Sequence, residues 1–146
     1  MNKTVYWVLG IAIVIQFVRP DFQNPKVDAT VALNTDQEVM GILKNSCYDC
    51  HSNETKYPWY HNVAPVSWVM SNNIVNGRKA LDFSNWANID AKVKLERLER
   101  AKQLVNIEMM PKNEYLLMHK NAALNSEEKK RLEEFFDSEI EHLSNS

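Results

Sequence analysis

The chain holds two cysteines, Cys47 and Cys50, and His51 follows the second one directly. A cysteine pair at this spacing ends as a disulfide, as part of a metal site, or as two thioether links, and each outcome demands a different fold around it. A redox-active Cys-x-x-Cys normally follows a strand in a βαβ setting, and no strand pattern precedes Cys47. A zinc site could recruit Cys47, Cys50, His51 and His61, but structural zinc sites space two ligand pairs further apart. Cys-x-x-Cys-His is also the attachment pattern of c-type haem. Two thiols three positions apart on a helical turn reach the two vinyl groups of one porphyrin edge, and the histidine after them is carried under the ring to ligate iron. Covalent attachment suits a small domain that cannot enclose a haem fully and that gains core surface from it. The motif therefore predicts one covalent haem c on Cys47 and Cys50, with His51 as the proximal iron ligand.

The rest of the chain has to accommodate that group within 146 residues, enough for one compact domain and an appendage. Three glycines and five prolines point to helices rather than a many-turned sandwich of strands. A formal net charge of -2 argues against nucleic acid as a partner, which requires a concentrated basic surface. The N-terminus is different in kind. Between Lys3 and Arg19 lies an apolar run from Val5 to Val18, interrupted only by Gln16. It is short beside the roughly 20 apolar residues of a bilayer span and close to the apolar region of an export signal. No small-x-small cleavage site follows in Phe17-Val18-Arg19-Pro20-Asp21-Phe22. Residues 1–19 are accordingly expected to act as an uncleaved signal-anchor helix, with Tyr6, Trp7 and Arg19 near the interfaces, and residues 20–34, with Pro20 and Pro25, as a linker.

Residues 35–146 read as an all-α domain of four or five short helices. A helix from Asp36 to about Asn45 is expected, with Thr35 as N-cap and Glu38 completing a capping box, which puts the cysteine motif at its end. A second is expected over Pro65 to Asn76, stopped by Gly77, with Trp68, Val69, Ile74 and Val75 facing inward. Asp90 can cap a third that runs to about Ile107 on Leu95, Leu98, Ala101 and Val105. Asn125 or Ser126 caps the last, whose apolar stripe is Leu132, Phe135, Phe136, Ile140 and Leu143. Asp82 to Asp90 reads as a loop around Phe83 and Trp86.

Iron with one histidine needs a second axial ligand or an open face. Met110 is the preferred candidate, because Met109-Met110-Pro111 breaks the helical pattern well downstream of the motif and proline stiffens the chain there. A thioether favours ferrous iron and raises the potential relative to two histidines. Met109 and His119 are its rivals. Met40, Met70 and Met118 are read as core packing, His61 as packing or contacting a propionate, and Arg78 and Lys79 as surface charge in preference to partners of the propionates. No carboxylate pair, Ser/His/Asp order or phosphate loop stands out.

These residues resemble a known family, the bacterial haem-binding-domain proteins, which are small cytochrome c-like domains. The resemblance runs through Gln16-Phe17-Val18-Arg19-Pro20, Cys47 to Thr55 with Tyr57-Pro58-Trp59-Tyr60, Ala64 to Trp68, Gly77 to Leu81 with Phe83-Ser84-Asn85-Trp86, and Met110-Pro111 with Tyr115 and His119. It implies covalent haem on Cys47 and Cys50 and axial ligation by His51, and it matches the family's methionine-proline segment to Met110-Pro111, although Lys112 stands where a second proline is common. The expected function is one-electron transfer outside the cytoplasmic membrane of a bacterium, with the haem domain on the periplasmic side and redox proteins as partners. A ligand sensor or a peroxidase-like protein is the alternative if the sixth position is open or displaceable.

Overall fold

The computed structural model describes residues 2–145, so the first and last residues of the expected anchor and domain lie outside the described residues. Among these residues there are seven α-helices and no strand, in line with an all-α chain. Four are long: α2 (Gln37–Ser46), α4 (Val66–Ala80), α5 (Ala91–Asn106) and α7 (Ser126–Ser144). Two are single turns, α3 (Tyr48–His51) and α6 (Asn113–Leu116). The remaining one is the N-terminal α1 (Lys3–Val14). The single turns are too short to leave a periodic signature, which is why hydrophobic spacing does not reveal them.

The helix starts follow local chemistry. Asp90 caps α5 by accepting from the Lys92 and Val93 amides, and Asn125 caps α7 in a reciprocal capping box with Glu128. The start of α2 departs from expectation. Asp36, not Thr35, is the N-cap, and its carboxylate accepts from the amides of Glu38 and Val39 at 3.1 and 3.0 Å. With Asp36 as cap, Glu38 falls at the second helical position rather than the third, so no box forms, and Arg131 of α7 pairs with Glu38 at 3.0 Å and with Asp36 at 2.8 Å. A charged cap also complements the helix dipole better than a hydroxyl does.

The core gathers Val39, Ile42 and Leu43 of α2, Tyr48 of α3, Leu98 and Val105 of α5, and Leu132, Phe135 and Phe136 of α7, together with Leu81, Phe83 and Trp86. The last two sit on a 3-10 segment, Phe83–Asn88, inside the stretch expected as loop. Helices α5 and α7 run antiparallel: Lys102 meets Asp137, Asn106 meets Glu133, and Glu108 meets Lys129.

Helix α4 corrects two expectations. It does not stop at Gly77 but continues to Ala80. Gly77 is buried and lies where α4 crosses α3: a Cβ placed there would come within 2.9 Å of the Cys50 carbonyl carbon and closer still to its oxygen. The glycine serves close helix approach rather than termination. Of the four residues expected to face inward only Ile74 is in the core. Val75 is exposed, Trp68 donates its indole N–H to the Val18 carbonyl at 2.7 Å, and Val69 lines the cavity described below.

The N-terminal segment also differs from expectation. Every residue of α1 is exposed. Its twelve residues rise about 18 Å, short of a hydrocarbon core of about 30 Å, and a 3-10 turn, Ile15–Phe17, ends the helical run. Gln16 lies in that turn, and its side-chain amide pairs with the Ala64 backbone, donating to the carbonyl at 3.1 Å and accepting from the N–H at 2.9 Å. Among the described residues no helix is long and apolar enough to cross a membrane, so the expected membrane-anchor helix is corrected in that respect. Residues 20–34 carry no regular structure, yet they are fastened to the domain. Asn24 donates to Thr55 O, Leu33 N–H to Phe83 O, and the Val31 carbonyl accepts from Ala87 N–H.

Candidate functional site

The Cys47–His51 turn forms one wall of a cavity of about 570 Å³, within the roughly 300–1,000 Å³ typical of cofactor pockets. A second wall is the face of α4 that carries Val66, Val69, Met70, Asn73 and Gly77, residues three and four apart that a helix stacks on one side. The third is the segment from Met110 to His119. The site therefore draws on three stretches that are distant in sequence, and the Gly77 crossing sets how closely the first two approach.

Cysteine motif and helix are coupled through the backbone. The chain kinks at Cys47 (φ -124°, ψ -37°), which separates α3 from α2 and turns both thiols toward the cavity. Cys47 and Cys50 are not joined in a disulfide. Burial pushes the Cys47 thiol up to about 12, with Cys50 adding to the effect, and burial together with Asp49 pushes Cys50 up to about 11. Dithiol catalysts need the opposite, a lowered pKa that yields thiolate. The zinc arrangement is not assembled either: among the described residues no group of three or more His, Cys, Asp or Glu could hold a metal ion. His61 faces Phe22 and Tyr57 and is engaged at both ring nitrogens, by Pro58 O at 2.6 Å and by the Asn62 side chain at 2.8 Å.

His51 has the geometry of a ligating imidazole. Its Nδ1–H donates to the Leu81 carbonyl at 3.1 Å, which assigns the tautomer and leaves Nε2 unprotonated. Burial pushes its pKa down, and so keeps the ring neutral, the form that binds iron. With two thiols, a neutral imidazole and predominantly apolar walls on one cavity, the residues present fit a haem attached through Cys47 and Cys50. Lys56 and Lys112 are the cations of the wall, suited to the propionates.

The structure separates the candidates for the opposite ligand. Met110 lines the cavity and is half-buried, whereas Met109 points away and is 59% exposed. Both amides reach back to the Leu104 carbonyl, after a turn through Glu108 at φ 58°. His119 also lines the cavity, but its ring stacks on Tyr115 (centroids 4.2 Å apart), its Nδ1–H donates to Tyr115 O at 3.2 Å, and its Nε2 lies 3.4 Å from the Tyr60 hydroxyl. Two residues read as core packing also reach the cavity, Met70 from α4 and Met118 from the third wall. The signal that could have found Met70 is its spacing with Val66, Val69 and Asn73. Arg78 is no surface charge. Its guanidinium donates to Ser52 O, Gln23 O, Asn24 Oδ1 and Thr55 Oγ1, binding the N-terminal segment to the loop after the motif.

No curated protein and no solved structure matches the chain. One family model does, that of a haem-binding domain, and it matches residues 10–138, a stretch that contains all three walls and the fastened N-terminal segment. The chain belongs to the haem-binding-domain family.

Proposed function

We propose that this protein is a monohaem c-type cytochrome that carries single electrons outside the cytoplasmic membrane. Haem binding follows from the family. The covalent mode is supported by one observation above the others: Cys47, Cys50 and a His51 whose Nδ1–H is committed to Leu81 O share one cavity wall. A bound haem supplies the Fe(II)/Fe(III) couple, and the chain holds, shields and tunes it. In this reading His51 is the proximal ligand and Met110 the distal one. Met109 is exposed, and His119 has both ring nitrogens engaged, which disfavours each as a ligand. Lys56 and Lys112 neutralise the propionates.

Thioether formation on Cys47 and Cys50 relies in this reading on a dedicated attachment machinery. Bacteria carry out that step outside the cytoplasm. We therefore assign the haem domain to the periplasmic side of the cell envelope, with α1 acting as the apolar region of an export signal and redox proteins as the partners. Electron transfer rather than catalysis is the role of a six-coordinate site.

The test is expression together with the haem-attachment machinery, followed by denaturing electrophoresis with haem-peroxidase staining. The band keeps its stain in the wild type and loses it in the Cys47→Ala/Cys50→Ala double variant. A wild-type band that never stains refutes covalent attachment. A purified protein whose ferric haem is high-spin and whose ferrous haem binds carbon monoxide readily refutes the electron carrier in favour of a sensor or peroxidase-like site.

A further inference from the structure

The segment that carries Met110 holds no long helix, and Met110 and the buried Ala122 are its points of packing on the core. After α5 it passes through the Glu108 turn, the single turn α6 and a 3-10 turn, Lys120–Ala122, and α6 packs chiefly on that last turn. Side chains tie it to the rest of the domain at four points, the longest of them from the Tyr60 hydroxyl to His119 Nε2 at 3.4 Å. Lys112 Nζ donates to Asn73 Oδ1 on α4 at 2.9 Å. Asn121 and Asn45 exchange hydrogen bonds at 2.6 and 3.1 Å near the end of α2. The last tie is different in kind: Tyr115 Oη donates to Asp49 Oδ2 at 2.7 Å, across 66 positions of sequence. Asp49 stands between the two cysteines. Its other carboxylate oxygen accepts from the Lys56 amide at 2.9 Å, and its backbone carbonyl accepts from Thr55 Oγ1 at 2.9 Å, so both the carboxylate and the main chain of Asp49 are held.

We propose that Tyr115 is a positioning residue for the distal side of the haem: its hydrogen bond to Asp49 latches the Met110 segment to the Cys47–His51 turn, and loss of that bond opens the sixth position to external ligands without releasing the haem. This rests on Met110 ligation as given under the proposed function. The phenol is well suited to the task. Burial and the neighbouring Asp49 carboxylate push its pKa far up, so it remains a donor at all physiological pH values. Its acceptor is charged, which makes the bond stronger than a neutral one. The ring is held separately by its stack on His119. A Tyr115→Phe substitution therefore removes the latch and leaves the packing.

The experiment uses the full chain with haem covalently attached. Two readouts are followed: the long-wavelength methionine-to-iron charge-transfer band of the ferric form, and carbon monoxide binding to the ferrous form. The wild type is expected to show the band and to resist carbon monoxide. Tyr115→Phe is expected to lose much of the band and to bind carbon monoxide at least tenfold more tightly, a factor in keeping with one hydrogen bond to a charged acceptor, with haem stain and helical circular dichroism unchanged. Asp49→Asn, which keeps an acceptor for the Lys56 amide but removes the charge, is expected to move both readouts in the same direction by less, and it serves as the test should Tyr115→Phe not fold. A wild type without the band overturns Met110 ligation and the latch together. A wild type with the band, and variants that keep it and still resist carbon monoxide, overturn the latch alone.

Discussion

The substitution Gly77→Ala isolates the contact on which the site is built. A methyl group at this position would approach the backbone of Cys50, within 2.9 Å of its carbonyl carbon and 3.1 Å of its Cβ. Backbone cannot rotate aside as a flexible side chain can, so α3 and α4 must separate by an amount on the order of 1 Å. Overpacking of this kind costs roughly 1–3 kcal/mol, and the clash with backbone puts Gly77→Ala at the upper end. Alanine recovers about 1 kcal/mol of helix propensity over glycine. The net expectation is a loss of about 2 kcal/mol, read as a lower urea midpoint, and a lower yield of stained holoprotein because Cys50 is displaced. Gly41→Ala is the matched control. Gly41 is exposed on α2, and a methyl group added there would meet nothing within 4 Å, so the same chemical change is expected to stabilise by up to about 1 kcal/mol. Opposite signs from identical substitutions separate crowding from propensity. A Gly77→Ala protein as stable as the wild type, with undiminished haem loading, would refute the crossing as the determinant of the site.

Arg78→Ala removes four hydrogen bonds from the guanidinium to the N-terminal segment and the loop after the motif; a loss of about 2 kcal/mol is expected, and limited proteolysis should cut faster within residues 19–28 than in the wild type. Equal cleavage rates would show that the segment is held elsewhere. Asp36 has its carboxyl held below the usual range by the Val39 amide and, next, by Arg131. A depressed folded pKa means that its contribution is present above about pH 4 and is lost as pH falls through the lowered value. Asp36→Asn is therefore expected to be less stable than the wild type at pH 7, with the gap closing in acid; a gap independent of pH refutes the charge-based cap.

The chemistry of the site is legible in sequence where it depends on near neighbours. Cys47, Cys50 and His51 carry their spacing with them, and so do the caps at Asp90 and Asn125 and the apolar stripe of α7, because turn geometry and 3.6-residue periodicity act over a few residues. The choice of Met110 over Met109 rests on a proline next to it, and the two side chains do part at that point. What fails is every inference that needs to know what lies opposite. Gly77 reads as a helix stop until Cys50 is seen against it. Val69 reads as core and Arg78 as surface charge until the cavity and the N-terminal segment are placed. Gln16 reads as a blemish in an apolar run, when its side chain pairs with the Ala64 backbone.

The order of the amino acids alone thus determined that the chain is helical, where its last two long helices begin, and which residues bring two thiols and an imidazole together on one turn, since these follow from local propensity and local spacing. The tertiary structure decided which face of α4 meets the cavity, which methionines reach it, and that the N-terminal segment is bound rather than free. Those outcomes turn on contacts between residues tens of positions apart, such as Cys50 with Gly77 and Asp49 with Tyr115. Such contacts exist only once helix packing has brought the partners within a few ångströms, a distance that no local pattern encodes.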